Sequence, residues 1–303
     1  VASIPQPTPS LRRGAPLARP ARRANWAWLG VAPFLIFALF FLFLPSLSLF
    51  IGSFQDNQGQ FTLANIQGLF TPSILNAYSI TIRISLFTAV IGGLFGFFLA
   101  YSATLVGLPR WVTDGMATFS GVASNFAGVP LAFAFIATLG RLGLVTVLLK
   151  DVFGFNLYDH GFNLYSFWGL SVTYLYFQFP LMVLIITPAL EGLRREWREA
   201  AENLGATGWQ YWRYVGLPVL MPSLLGAMIL LFGNAFGAYA TALSLTGGLI
   251  NLVTILIGSQ IKGDVLHNPG LGYALALGMV VVMAASMAIY YVLRRRSERW
   301  LRL

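Results

Sequence analysis

The sequence predicts an all-α integral membrane protein with six transmembrane helices and both termini on the cytoplasmic side. Three observations carry that expectation. Apolar residues make up 57% of the 303-residue chain and charged residues 10%, against roughly 45–50% and 25% in ordinary globular proteins. Six apolar segments each reach the ~20 residues that a helix needs to cross a ~30 Å hydrocarbon core. Lysine and arginine, in turn, fall almost wholly on alternate connecting segments.

The first 25 residues are interrupted by Pro5, Pro7, Pro9, Pro16 and Pro20, and Arg12, Arg13, Arg19, Arg22 and Arg23 are their only charged side chains. Such a stretch cannot bury a core and reads as a disordered basic tail, residues 1–25, at the cytoplasmic surface. The apolar run from Trp26 to Ile51 far exceeds the roughly 7–15-residue core of a cleaved signal peptide, so it is expected to be an uncleaved first span. Within a transmembrane domain of residues 26–293, the expected spans are Leu29–Phe50, Ser79–Leu105, Met116–Leu139, Tyr165–Leu190, Pro218–Ala240 and Gly272–Leu293. Pro33, Pro45, Pro130, Pro180, Pro188 and Pro222 lie inside them; in lipid such prolines kink a helix, because neighbours satisfy the freed carbonyls. A basic C-terminus, 294–303, closes the chain.

With the N-terminus inside, the cytoplasmic pieces hold the five tail arginines, Arg110, Arg194, Arg195, Arg198, Arg213, Arg294, Arg295, Arg296, Arg299 and Arg302. The opposite side holds only Arg141, Lys150 and Lys262. This asymmetry sets the orientation. It also explains the net charge of +9 without a nucleic-acid partner. The outer loops Gln55–Tyr78 and Gly140–Leu164 are expected to hold short surface helices and turns. In the third, Thr241–Leu271, the apolar stretch Leu249–Ile257 is too short to span and is expected to re-enter or lie against the outer mouth.

Several chemistries lack their parts. With no cysteine and two histidines, thiolate sites, disulfides and a histidine-built metal centre are excluded or disfavoured. His160 and His267 stand apart in outer loops, and no expected span contains His, Lys, Asp or Glu to act as a base, which argues against an intramembrane enzyme. An ion-coupled transporter or channel is the other rival, but it usually places ionisable residues near the midplane. Here only Arg83 lies within a span, and it is able to snorkel outward.

One inner loop stands out, residues 191–217. Glu191–Arg195, Arg195–Glu199 and Arg198–Glu202 are i,i+4 opposite-charge pairs that favour a helix in its first half. Gly205 is a natural stop at C′, and Thr207 with Gln210 matches a capping box that starts a second short helix. Trp209, Tyr211, Trp212 and Tyr214 supply aromatic contacts for the lipid interface, and Leu217-Pro218 is expected to end this helix and open the next span. A helix–glycine–helix element at the membrane face suits docking of a cytoplasmic partner, and equally suits a solvated loop.

Glu199-Ala200-Ala201, three residues, Gly205, nine residues and then Val215-Gly216-Leu217-Pro218 resembles the EAA loop of binding-protein-dependent ABC importer permeases, E-A-A-x3-G-x9-I-x-L-P. Val215 in place of isoleucine is the sole departure. The resemblance covers residues 29–293 and implies a six-helix permease subunit in the bacterial cytoplasmic (inner) membrane. It further implies two cytoplasmic ABC ATPase subunits as partners, an extracytoplasmic solute-binding protein and a second permease subunit, a heterodimer being favoured. By the same resemblance Glu199, Ala200, Ala201, Gly205, Leu217 and Pro218 belong to the ATPase-coupling element. The chain itself would carry no cofactor and no catalytic or metal site; ATP and Mg would be used by the partner ATPase.

For the solute, Arg83 is a candidate contact for an anion. Tyr174, Tyr176, Phe177 and Gln178 form an aromatic–polar cluster suited to a cation path through π faces or to helix packing. Asn125, Asn234 and Tyr239 are polar positions in or near spans, where polar groups tend to face the bundle interior. The form of the loop looks closest to permeases of the polyamine, ferric-iron and phosphonate type, which points to a small polar or charged solute such as a polyamine.

Overall fold

A computed structural model describes residues 27–56, 58–105, 108–262 and 268–298. The tail 1–25, His267 and residues 299–303 lie outside the described residues. The chain divides into two units, one ending at Ser48 and the other beginning at Leu49.

The first unit holds α1 (Ala27–Ala38), a π-helical turn (Leu39–Phe43) and the start of α2 (Leu44–Ser53). Its large apolar side chains are exposed almost throughout, as suits a helix whose solvent is lipid.

The second unit continues with α3 (Ala64–Gly68), α4 (Pro72–Leu105), α5 (Arg110–Asn125), α6 (Val129–Leu139), α7 (Leu144–Phe153), α8 (Phe167–Glu191), α9 (Arg195–Asn203) and α10 (Gly208–Tyr211). A second π-helical turn (Trp212–Gly216) leads into α11 (Leu217–Phe236), and α12 (Tyr239–Thr246), α13 (Val253–Lys262) and α14 (Pro269–Glu298) complete it. Among the described residues, six helical stretches are long and apolar enough to cross a membrane: Gly30–Ser53, Pro72–Leu105, Val129–Phe153, Phe167–Glu191, Gly208–Phe236 and Pro269–Arg296.

Four of the six expected spans match to within a few residues or extend further than expected. α4 starts seven residues before the expected Ser79, because Pro72 suits a first helical turn and Ile74 and Ala77 are buried with Val253 and Leu275. The third span is displaced. The helix expected over Met116–Leu139 is divided at Phe126–Gly128, where Gly128 sits at φ 75, ψ −146, a conformation essentially reserved for glycine. The fifth span begins ten residues early, and the expected Pro218–Ala240 is interrupted at Gly237–Ala238 before α12. Of the apolar stretch Leu249–Ile257, the part from Val253 onward enters α13, and the Val253 N–H donates to Thr81 Oγ1 at 3.1 Å, which holds α13 against α4.

The two π turns share a cause. Each is followed at once by Leu-Pro, Leu44-Pro45 and Leu217-Pro218. A proline removes the N–H needed by the carbonyl four residues back, and its ring crowds that carbonyl. Widening the preceding turn relieves the clash: Leu44 N–H donates to the Leu39 carbonyl and Leu217 N–H to that of Trp212. Leu217-Pro218 therefore does not end the helix that leaves the inner loop, contrary to the sequence expectation. The helix runs on through it.

The core lies between α4, α8 and α11, where Met182, Ile186, Leu190, Leu220 and Leu231 are fully buried. Gly92 and Gly96, one turn apart on α4, let α8 approach closely. A Cβ on Gly92 would stand 2.7 Å from Gln178 Cβ, and one on Gly96 would stand 2.5 Å from Met182 Cβ. In lipid, where no hydrophobic drive pulls helices together, such small-residue contacts carry much of the association.

Candidate functional site

The inner loop forms two capped helices. α8 ends at Glu191, and Arg194 is extended before α9 begins at Arg195. Glu191 and Arg195 are thus on separate helices and the expected pair between them is not made. Arg198 Nε donates to Glu202 Oε1 at 3.0 Å, an i,i+4 ion pair along α9. At the end of α9, Gly205 N–H donates to Glu202 O (2.9 Å) and Ala206 N–H to Ala201 O (3.0 Å). These two bonds make a Schellman motif, with Gly205 at φ 78 in the left-handed region. Thr207 Oγ1 accepts from Gln210 N–H while Gln210 Oε1 accepts from Thr207 N–H, at 3.3 and 2.7 Å. The capping box read from the sequence is present, and its N-cap, Thr207, lies two residues after the Schellman glycine.

Glu199 and Ala200 lie on an exposed surface, with Ala201 half-buried. Beside them Leu204 is 87% exposed and Trp209 70% exposed, large apolar side chains on an otherwise charged element. Leu204 was missed in the sequence; the residue just before the C′ glycine was the available signal. Trp212 instead turns inward and meets Tyr101 edge-on at 5.1 Å, and Tyr211 is buried. An open apolar groove of about 630 Å³, lined by Phe97, Tyr101, Trp209, Trp212 and Met221, runs alongside.

The candidate path residues separate into two groups. Tyr174 and Gln178 are inside the subunit. The Tyr174 hydroxyl donates to Ala238 O at 2.8 Å, and Gln178 Nε2 donates to Leu231 O at 2.9 Å. Phe177 is also buried. Of the two readings of this cluster, helix packing agrees with these contacts, which join α8 to α11 and to the break before α12. Arg83, Asn125 and Asn234 are exposed and Tyr239 is half-buried. Asn125 Nδ2 donates to the Gly121 carbonyl at 2.9 Å, closing the end of its own helix, and Tyr239 packs on Gly258. Because α4 begins at Pro72, Arg83 stands three helical turns in, deeper than the sequence reading had it.

The two helix breaks are joined. Gly128 N–H donates to Thr241 Oγ1 at 2.7 Å, so the start of α6 is tied to the first turn of α12. The backbone groups freed at both interruptions are satisfied across 113 and 64 residues of sequence, as irregular backbone at membrane depth requires. At the outer face Arg141, Asn156, Tyr158, Asp159 and Asn163 surround a polar hollow of about 420 Å³. The Arg141 guanidinium lies 5.5 Å from the Tyr158 ring. Burial raises the Tyr158 phenol above its ordinary pKa and Tyr165 adds to this, while a backbone hydrogen bond and Arg141 act against it.

Residues 92–299 match the model of the family described as binding-protein-dependent transport system inner membrane component. Relatives include the sulfate transport system permease protein CysT of Escherichia coli (strain K12), 26% identical over 71% of this chain and 73% of that one. The sulfate transport system permease protein CysW of the same strain is 25% identical over 81% and 79%. A probable sulfate transport system permease protein cysT of Nephroselmis olivacea is 28% identical over 75% of each. Among solved structures, a bacterial ABC transporter involved in import of the acidic polysaccharide alginate shares the fold, with a TM-score of 0.70 at 17% identity over 90% of this chain and 95% of that one. The chain therefore belongs to the family of binding-protein-dependent transport system inner membrane components, and is a multi-pass inner-membrane permease subunit of an ABC importer.

Proposed function

We propose that this subunit forms half of the translocation path of an ATP-driven importer for sulfate or a closely similar tetrahedral oxyanion. The observation that carries the reading is that relatives aligned over 71–81% of the chain are sulfate permeases by name. The polyamine expectation has no such support and is set aside. The charges agree with an anion. α4 contains no carboxylate, α8 and α11 contain none before the terminal Glu191, and exposed Arg83 is the one charged side chain well inside them. Carboxylates, the ionisable groups that would pair with a polycation, are thus absent from the interior of these helices. Cytoplasmic ATPase subunits would bind the exposed element around Glu199, Ala200, Leu204 and Gly205. Their ATP-driven closure would rock this subunit against a second, non-identical permease subunit, and a loaded binding protein would bias the same equilibrium from outside.

The test is uptake of radiolabelled sulfate by vesicles containing the complete transporter, with thiosulfate, molybdate and spermidine as competitors. Sulfate accumulation that needs ATP and is blocked by oxyanions alone is expected. Arg83→Gln should lower its rate at unchanged assembly. Uptake of spermidine without sulfate would return the solute to the polyamine class; sulfate uptake unchanged in Arg83→Gln would remove that residue from the path.

A further inference from the structure

On the flank of the second unit, α4, α11 and α14 enclose an open groove of about 420 Å³. Its walls include Leu86, Val90, Ile229, Ala285, Ile289 and Leu293, all apolar. Two polar groups line it. Ser286 Oγ donates to the Val282 carbonyl of its own helix, whereas the Tyr290 hydroxyl makes no recorded hydrogen bond among the described residues. On α14 the lining residues Val282, Ala285, Ser286, Ile289, Tyr290 and Leu293 follow the i, i+3, i+4, i+7, i+8, i+11 pattern of one helix face, and the same face next reaches Arg296. Arg295 lies on the neighbouring stripe and stacks on Tyr291, 4.3 Å from the ring centroid. Arg296 is exposed.

We propose that this groove holds one acyl chain of an anionic phospholipid from the cytoplasmic leaflet, with the lipid phosphate at Arg296 and Tyr290 donating to the ester or phosphate oxygens. Length favours a lipid chain. The eleven residue steps from Val282 to Leu293 rise about 16 Å along α14, close to half of a ~30 Å hydrocarbon core, which is the depth of one leaflet. Charge favours an anionic headgroup, since basic residues at the cytoplasmic end of a transmembrane groove attract it by roughly 1 kcal/mol each. The positive-inside arrangement puts Arg296 on that side. The competing occupant is a helix of a neighbouring permease subunit lying along this groove and the one it meets at Leu225 and Met228.

The experiment is native mass spectrometry of the chain purified with its partner subunits and offered phosphatidylglycerol and phosphatidylcholine at equal concentration. The unmodified chain should retain phosphatidylglycerol about five-fold over phosphatidylcholine, the ratio equivalent to ~1 kcal/mol. Arg296→Gln should bring the two near parity, Arg296→Lys should keep the preference, and Ala285→Trp, which fills the groove, should lose both lipids. Equal retention by the unmodified chain, or a preference untouched by both Arg296→Gln and Ala285→Trp, overturns the proposal. So does a cysteine placed at Ile289 in this cysteine-free sequence that cross-links to another permease subunit in place of a photoreactive lipid.

Discussion

Gly205 offers a graded test of the coupling element, because its two possible roles have different costs. It lies at φ 78, and a Cβ built on it meets nothing within 4 Å. Within this chain, then, Gly205→Ala carries a backbone cost and no clash. Holding an L-residue in the left-handed region costs roughly 1–2 kcal/mol, a five- to thirty-fold loss in the population of the Schellman turn. Asparagine tolerates that region and should lose only a fraction of this. Gly205→Glu has the backbone cost of alanine and, if an ATPase subunit covers the turn, adds an unpaired buried charge at several kcal/mol. That total exceeds the ~1–3 kcal/mol of a typical allosteric coupling. Copurification of the ATPase and substrate-stimulated ATP hydrolysis should therefore fall in the order Gly, Asn, Ala, Glu, with hydrolysis lost in Gly205→Glu. All four should insert normally, since the turn is outside the apolar core. Equal performance of Asn and Ala would refute the left-handed-turn reasoning; normal ATPase binding in Gly205→Glu would refute coupling at this loop.

Thr207→Ala removes the Oγ1 that caps Gln210 N–H and should cost ~1 kcal/mol of local stability, seen as faster amide exchange in α10 with α11 unchanged. Gln178→Leu should leave the melting temperature in detergent unchanged or raised. It loses one interhelix bond, averaging only ~0.6 kcal/mol in membrane proteins, and removes an Oε1 that is buried without a partner among the described residues, a defect of about 1–3 kcal/mol; a fall of many degrees would show that Oε1 does have a partner. Gly96→Leu should abolish accumulation of folded protein, measured by monodisperse yield in detergent, because the Phe179 carbonyl oxygen would lie 2.8 Å from the new Cβ and backbone cannot yield as a side chain does.

What was legible in the sequence was local or compositional. Hydropathy marked the spans because every lipid-facing stretch must satisfy its own backbone in a helix, and arginine placement gave the orientation. The turn at Gly205 and the capping box at Thr207 and Gln210 could be read because each closes within five residues and depends on no distant group. Even so, one local rule erred: Leu217-Pro218 reads as a stop, yet the π turn just before it, Trp212–Gly216, carries the helix through. Only the tertiary structure decided where the third and fifth spans break. Gly128 and Ala238 can leave the helix because Thr241 and Tyr174 meet their freed N–H and carbonyl from elements far away in the chain, and no local pattern encodes that partnership. The same holds for Tyr174 and Gln178, which read equally as path or packing and whose hydrogen bonds reach Ala238 and Leu231, far away in the chain. Which face of α8 meets α4 is settled by Gly92 and Gly96 accepting the backbone of α8, a fit between two surfaces that neither segment specifies alone.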